Sequence, residues 1–180
     1  VVTLVTGGGR SGKSGFAQRL AARGNPPRLF LATAQEFDDE MRQRIAAHRA
    51  ARPAEWGLVE EPRAVPAALR VACGAARTIV VDCVTLWIAN LLLADEFFGE
   101  KEASENAAAL LEAAREGGDA DIIIVTNEVG SGIVPDNALS RRFRDCAGRA
   151  NQVLASGADE VYLLVSGIPV ILKSMQGSQA

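Results

Sequence analysis

Eight consecutive residues, GGGRSGKS from Gly7 to Ser14, carry the clearest chemical signal in the chain. They fit the spacing G-x-x-x-x-G-K-[ST], with Gly7, Gly12, Lys13 and Ser14 at the fixed places. Glycines let a backbone wrap an anion with successive N–H groups facing inward, and a helix N-terminus adds partial positive charge. Lys13 then reaches the outer phosphates and the Ser14 hydroxyl is placed for Mg²⁺. The plain alternative is a glycine-rich turn that happens to contain lysine. The apolar run before the motif and the helical pattern after it favour a nucleoside triphosphate site built from Gly7, Gly8, Gly9, Arg10, Ser11, Gly12, Lys13 and Ser14.

Two carboxylates extend that reading. Asp82 ends the apolar run TIVVD, where an acidic residue of a phosphate-loop enzyme holds Mg²⁺ directly or through water. Glu128 opens a polar stretch after the run DIIIVT and is a candidate for proton transfer or for a Mg²⁺-bound water. In the same stretch Pro135, Asp136 and Asn137 read as a helix start, with Asp136 or Asn137 as the cap. Arg141, Arg142 and Arg144 follow in the first turns, where cations oppose the helix dipole. They call for solvent, a phosphate, or acidic residues of a neighbouring subunit.

The single histidine, His48, lies in DDEMRQRIAAHRAAR with Arg42, Arg44, Arg49 and Arg52 around it. On a helix from Phe37 to Arg52 it shares a face with Phe37, Met41 and Ile45, and Arg44 and Arg52 flank it at four-residue spacing. A histidine on an apolar stripe reads first as a packed core residue. Neighbouring cations disfavour imidazolium, and a neutral imidazole is a nucleophile beside guanidiniums that bind anions. Pattern leaves both readings open.

These residues need a frame. VVTLVT (1–6), RLFLAT (28–33), TIVVDC (78–83), DIIIVT (121–126) and EVYLLV (160–165) are rich in β-branched residues without polar alternation, as strands covered on both faces are. Helical patterns separate them at 13–23, 37–52, 63–74, 84–94, 102–116 and 139–156, while 94–104 reads as either loop or helix start. Alternation of this kind predicts an α/β fold of the P-loop NTPase, RecA-like kind. Its sheet is mostly parallel with helices on both faces, in one catalytic domain over 1–180.

Composition narrows the function classes. A net charge of −3 argues against broad nucleic-acid binding. Three scattered cysteines and one histidine permit no zinc constellation. The opening VVTLVTGGGR turns to glycine too early for a signal-peptide core, and VTLWIANLLLA (84–94) is too short to span a bilayer and contains Asn90. A cytoplasmic protein without membrane insertion is expected.

Taken together, TGGGRSGKS, ATAQEFDDEMRQRIAAHRAARPAEWGLVEEP, VDCVTLWIANLL, TNEVGSGIVPDNALSRRFRDCAGRANQVLA and VSGIPVILK resemble the bifunctional adenosylcobinamide kinase/adenosylcobinamide-phosphate guanylyltransferase family, in order from Val2 to about Lys173. The resemblance implies phosphorylation of adenosylcobinamide with ATP or GTP. It further implies GMP transfer from GTP to adenosylcobinamide phosphate through a guanylylated histidine, giving adenosylcobinamide-GDP and pyrophosphate. His48 matches that nucleophile. Ala32, Thr33 and Ala34 are implied beside the phosphate loop, with His48, Arg49, Ala50 and Ala51 along the guanine nucleotide and Glu60 and Asp82 as further contacts. The family resemblance also implies a homotrimer, with 84–94 as a candidate subunit contact. A plain small-metabolite kinase and a non-enzymatic GTP-binding switch are the alternatives; neither requires a covalent nucleotide.

Overall fold

The computed structural model describes residues 1–35, 39, 42, 43 and 53–174. The chain order is β1 (Val2–Gly7), α1 (Lys13–Arg23), β2 (Arg28–Ala32), β3 (Gly57–Glu60), α2 (Val65–Cys73), β4 (Thr78–Asp82), α3 (Val84–Ala94), α4 (Glu100–Glu116), β5 (Asp121–Val125), α5 (Ala138–Gly157), β6 (Glu160–Val165) and β7 (Ile168–Lys173). One sheet of order β3-β2-β4-β5-β1-β6-β7 holds every strand. Among the described strands only β7 is antiparallel to its neighbour.

The unbroken apolar runs become strands because both faces are covered, and the period of two then sorts their residues into two cores. Val2, Leu4, Leu29, Leu31, Ile79, Val81, Ile122 and Ile124 pack toward α2, α3, α4 and α5. Their alternates Val5, Phe30, Val80, Ile123 and Val125 pack against Ala17 and Ala21 of α1, with Trp56 stacked on Phe30 at 5.6 Å. Helices therefore lie on both faces, as expected. Among the described residues, no helix is long and apolar enough to cross a membrane.

All five expected strands form, each within one residue of its predicted ends. The expected helices at 13–23 and 84–94 have the predicted bounds; those at 63–74, 102–116 and 139–156 shift by one or two residues at each changed end. The helix expected over 37–52 lies outside the described residues except for Asp39, Arg42 and Gln43. Two strands, β3 and β7, were not anticipated. Both are edges: β3 has four residues, and β7 is exposed throughout and carries Pro169, which an edge tolerates.

The start of α4 settles the ambiguous stretch. Glu102 accepts a hydrogen bond from the Gly99 N–H at 2.9 Å, and helix begins at Glu100. Helix α3 sets Val84, Trp87, Ile88 and Leu92 in the core and leaves Leu93 exposed. Its one buried amide, Asn90, donates to the carbonyls of Thr33 at 2.8 Å and Pro62 at 2.9 Å. It thereby ties together the two ends of the segment between β2 and α2.

Helices α1 and α5 follow the neighbouring strands β1 and β5 but pack on opposite faces. A crevice opens between such strands at their carboxyl ends.

Replacing Asn90 by leucine leaves two carbonyls unpaired in a buried setting, which costs about 2–3 kcal/mol. The expected result is a melting temperature lower by about 5–10 °C for a chain of this size, read by thermal denaturation.

Candidate phosphate-binding site

The loop from Gly7 to Ser14 fills that crevice. Gly7 sits at φ +146°, and a Cβ there would stand 2.5 Å from the Leu164 carbonyl oxygen of β6. Gly12 precedes α1 at φ +93°. Both conformations belong to glycine. Arg10 also has positive φ (+56°), at the exposed tip with Gly8 and Gly9. The Ser11 N–H reaches back to the Gly8 carbonyl at 3.3 Å, closing the turn.

Lys13 crosses the inside of this ring. Its Nζ donates to the Gly8 carbonyl at 2.6 Å and to Ser11 Oγ at 3.4 Å, and the residue is only 6% exposed. Burial pushes its pKa below the ordinary lysine value, and the nearby Asp82 carboxylate opposes that shift. A desolvated ammonium gains an anion's full field when phosphates arrive. Cys83 itself is buried and its thiol is pushed up to about 12, by burial first and then by Asp82. It is therefore a neutral thiol at physiological pH and no nucleophile.

Strand register shows what shares this edge. Glu60 pairs with Ala32, Ala32 with Asp82, Asp82 with Val125 and Val125 with Val5, one transverse row just before the loop. Asp82 is two strands from β1, about 10 Å at ordinary strand spacing, whereas exposed Glu60 is four strands away, about 19 Å. The structure thus gathers Gly7–Ser14 and Asp82 at one place and sets Glu60 at the far end of the same edge.

Beyond Ala32, buried Thr33 is locked to the Asp82–Cys83 turn. Its Oγ1 donates to the Cys83 carbonyl at 2.7 Å and accepts from the Cys83 N–H at 2.9 Å. Ala34 follows, half-buried. His48, Arg49, Ala50 and Ala51 lie outside the described residues, as do Arg44 and Arg52.

The segment after β5 is held more firmly than a loop need be. Thr126 N–H donates to the Val5 carbonyl at 3.0 Å and Glu128 N–H to the Gly7 carbonyl at 2.9 Å, so it runs along β1 into the phosphate loop. Behind it, Thr126 Oγ1 lies 3.2 Å from Thr85 Oγ1 and donates to Asn151 Oδ1 at 2.7 Å. Thr85 Oγ1 accepts from the Asn127 N–H at 2.6 Å, and Asn151 Nδ2 donates to the Asn127 carbonyl at 3.0 Å. Sequence reasoning missed Thr85, Thr126 and Asn151; polar residues inside otherwise apolar helix and strand patterns were the available signal. The exposed Glu128 carboxylate accepts from the Gly130 N–H at 2.9 Å.

The three arginines of α5 have partners within the chain. Asn137 caps the helix by accepting from the Ser140 N–H at 2.8 Å. Arg141 donates to the Pro135 and Asp136 carbonyls at 2.9 and 2.7 Å, and Arg142 to the Glu96 carbonyl at 2.8 Å. Arg144 pairs with Asp145 at 3.0 Å. The opposing dipole is met by folding guanidiniums back onto carbonyls and one carboxylate.

Among the described residues, no group of three or more His, Cys, Asp or Glu could hold a metal by itself. Magnesium held mainly by nucleotide phosphates needs only one or two hard oxygens from protein. Ser14 in the first turn of α1 and Asp82 at the end of β4 supply that donor type.

Lys13→Met removes a buried ammonium whose charged state is disfavoured without ligand. The ligand-free melting temperature is expected to hold or rise, while the rise produced by saturating GTP disappears. That rise corresponds to about 2.7 kcal/mol at a hundredfold excess over Kd. Thermal shift with and without GTP checks both halves.

Comparison with known proteins agrees with this geometry. The family model described as cobinamide kinase / cobinamide phosphate guanyltransferase matches residues 3–172. The bifunctional adenosylcobalamin biosynthesis protein CobP of Pseudomonas aeruginosa is 47% identical over 94% of this chain and 96% of its own length. The CobU proteins of Salmonella typhimurium and Escherichia coli are 42% and 40% identical, each over 96% of this chain and all of their own length. The fold is also similar to that of an ATPase from the type III secretion system of pathogenic bacteria. The TM-score is 0.56 at 14% identity, covering 90% of this chain and 50% of the other. With a phosphate loop intact at the carboxyl edge of the sheet and a match running almost end to end, the chain belongs to the cobinamide kinase / cobinamide phosphate guanyltransferase family.

Proposed function

We propose that this chain is a bifunctional enzyme of cobalamin synthesis, a single catalytic domain over 1–180 that works as a cytoplasmic homotrimer. The observation that carries the reading is the buried Lys13 ammonium inside the phosphate loop, facing the field of the Asp82 turn. Membership of a family described as cobinamide kinase / cobinamide phosphate guanyltransferase supports the substrates of this reading, adenosylcobinamide and its phosphate with ATP and GTP.

In the kinase step the hydroxyl oxygen of adenosylcobinamide attacks the γ-phosphorus, and the bond to the β–γ bridging oxygen breaks. Inward N–H groups from Gly7 to Ser14 and the Lys13 ammonium stabilise charge on the phosphate oxygens. Ser14 and Asp82 would be the protein oxygens that hold Mg²⁺, directly or through water, and the ion would supply further neutralisation of the triphosphate. The hydroxyl proton goes to a carboxylate at this edge, Glu128 or Asp82.

In the guanylyl step a neutral His48 nitrogen attacks the α-phosphorus of GTP and pyrophosphate leaves. An oxygen of adenosylcobinamide phosphate then displaces histidine from phosphorus, giving adenosylcobinamide-GDP. Arg49, Ala50 and Ala51 lie along the nucleotide in this reading. The span of about 19 Å from the phosphate loop to Glu60 suits a nucleotide laid along the carboxyl edge, with Ala32, Thr33 and Ala34 beneath it. One phosphate loop serving two reactions requires them to occur in turn.

Incubation with Mg²⁺ and GTP labelled at the α-phosphate, followed by denaturation, tests the covalent step. Label on the chain that survives alkali, is lost in acid and disappears in His48→Ala is the expected result. His48→Ala should keep ATP-dependent phosphorylation of adenosylcobinamide. GTP binding without label overturns the guanylyl-histidine and leaves a kinase alone.

A further inference from the structure

The turn between β6 and β7 ends against the phosphate loop. Ser166 (φ +50°) and Gly167 (φ +84°) are both left-handed, the pair of conformations a two-residue type I′ hairpin requires. The Gly167 N–H donates to the Ser11 carbonyl at 2.9 Å. A Cβ on Gly12 would lie 3.3 Å from the Gly167 Cα, and the Leu164 carbonyl occupies the space beside Gly7. The hairpin therefore meets the phosphate loop at both its first and its last fixed glycine.

The far end of the hairpin is fastened as well. Lys173 Nζ donates to the carbonyls of Ala155, Ser156 and Ala158 at 3.4, 2.9 and 2.5 Å, closing the carboxyl end of α5. The turn is thus set between two fixed points.

A loop that aims its N–H groups at an anion has to direct its carbonyls elsewhere, because a carbonyl dipole facing phosphate repels it. Lys13 takes the Gly8 carbonyl and the turn takes that of Ser11, the residue before Gly12. We propose that Gly167 is a positioning residue for nucleotide phosphates: its amide, presented by a left-handed turn, holds the Ser11 carbonyl outward and so keeps the Gly12 N–H, on the opposite side of the same planar peptide, facing the ligand. The proposal rests on the phosphate-loop reading and is independent of His48 and of the corrinoid.

Open space around Gly167 makes the test clean. A Cβ there would meet nothing within 4 Å, so a substitution strains the backbone conformation and brings no clash at Cβ. Asparagine tolerates left-handed backbone and valine does not. With valine the free turn relaxes away from φ +84°, and binding has to draw it back, so strain appears as lost affinity.

Equilibrium titration with GTP and, separately, with guanosine is the measurement. Gly167→Val should weaken GTP by about tenfold or more while leaving guanosine unchanged, and Gly167→Asn should stay within about threefold of the unsubstituted chain. Equal GTP affinity in all three overturns the proposal. So does equal loss in both variants, or a loss shared by guanosine. Failure of the unsubstituted chain to bind GTP would instead fault the phosphate-loop reading. If the valine variant does not fold, hydrogen exchange on the unsubstituted protein decides: a protected Gly167 amide, slowed further by GTP, is expected, and an amide that exchanges freely and ignores GTP overturns it.

Discussion

A loop can offer its N–H groups to an anion only if its carbonyls and its cation are held by something else. This constraint organises the molecule. The Gly8 carbonyl is taken by the ammonium of Lys13, that of Ser11 by Gly167 and that of Gly7 by Glu128. Each partner comes from a different place in the chain. The loop therefore forms in full only when β1 has β5 on one side and β6 on the other, which is its position in the sheet.

The same logic extends along the carboxyl edge. Thr33 clasps the Asp82–Cys83 turn, and Asn90 holds the Thr33 and Pro62 carbonyls. Thr85, Thr126 and Asn151 brace the backbone of Asn127 from behind. Side-chain amides and hydroxyls here stand where regular ladders stop and backbone groups would otherwise be orphaned. The result is an edge whose side-chain amides and hydroxyls are spent on the scaffold that surrounds Lys13, Asp82 and Glu128. Cys83, sealed in the core beside Lys13, adds a neutral thiol and no reactivity.

The phosphate loop and the buried Lys13 form a fixed electrostatic centre at the carboxyl edge of the sheet. Charge recognition suits such a centre because triphosphates share their outer phosphates whatever the base.

Much of this was legible in residue order. Glycines at 7 and 12 with Lys13 and Ser14 define an anion loop because local backbone freedom and one short reach suffice for it. Continuous β-branched runs define buried parallel strands because covered faces tolerate no polar alternation. Tertiary structure decided what depends on pairing across long separations. Strands β3 and β7 are edges, where periodicity is weak and neighbours set the conformation. The arginines of α5 find carbonyls that only folding brings near. The burial that lowers the Lys13 pKa, the inertness of Cys83 and the contact of the Ser166–Gly167 turn with Ser11 follow from juxtapositions of residues up to 156 positions apart. Local propensity names the groups; packing alone sets their dielectric, partners and distance.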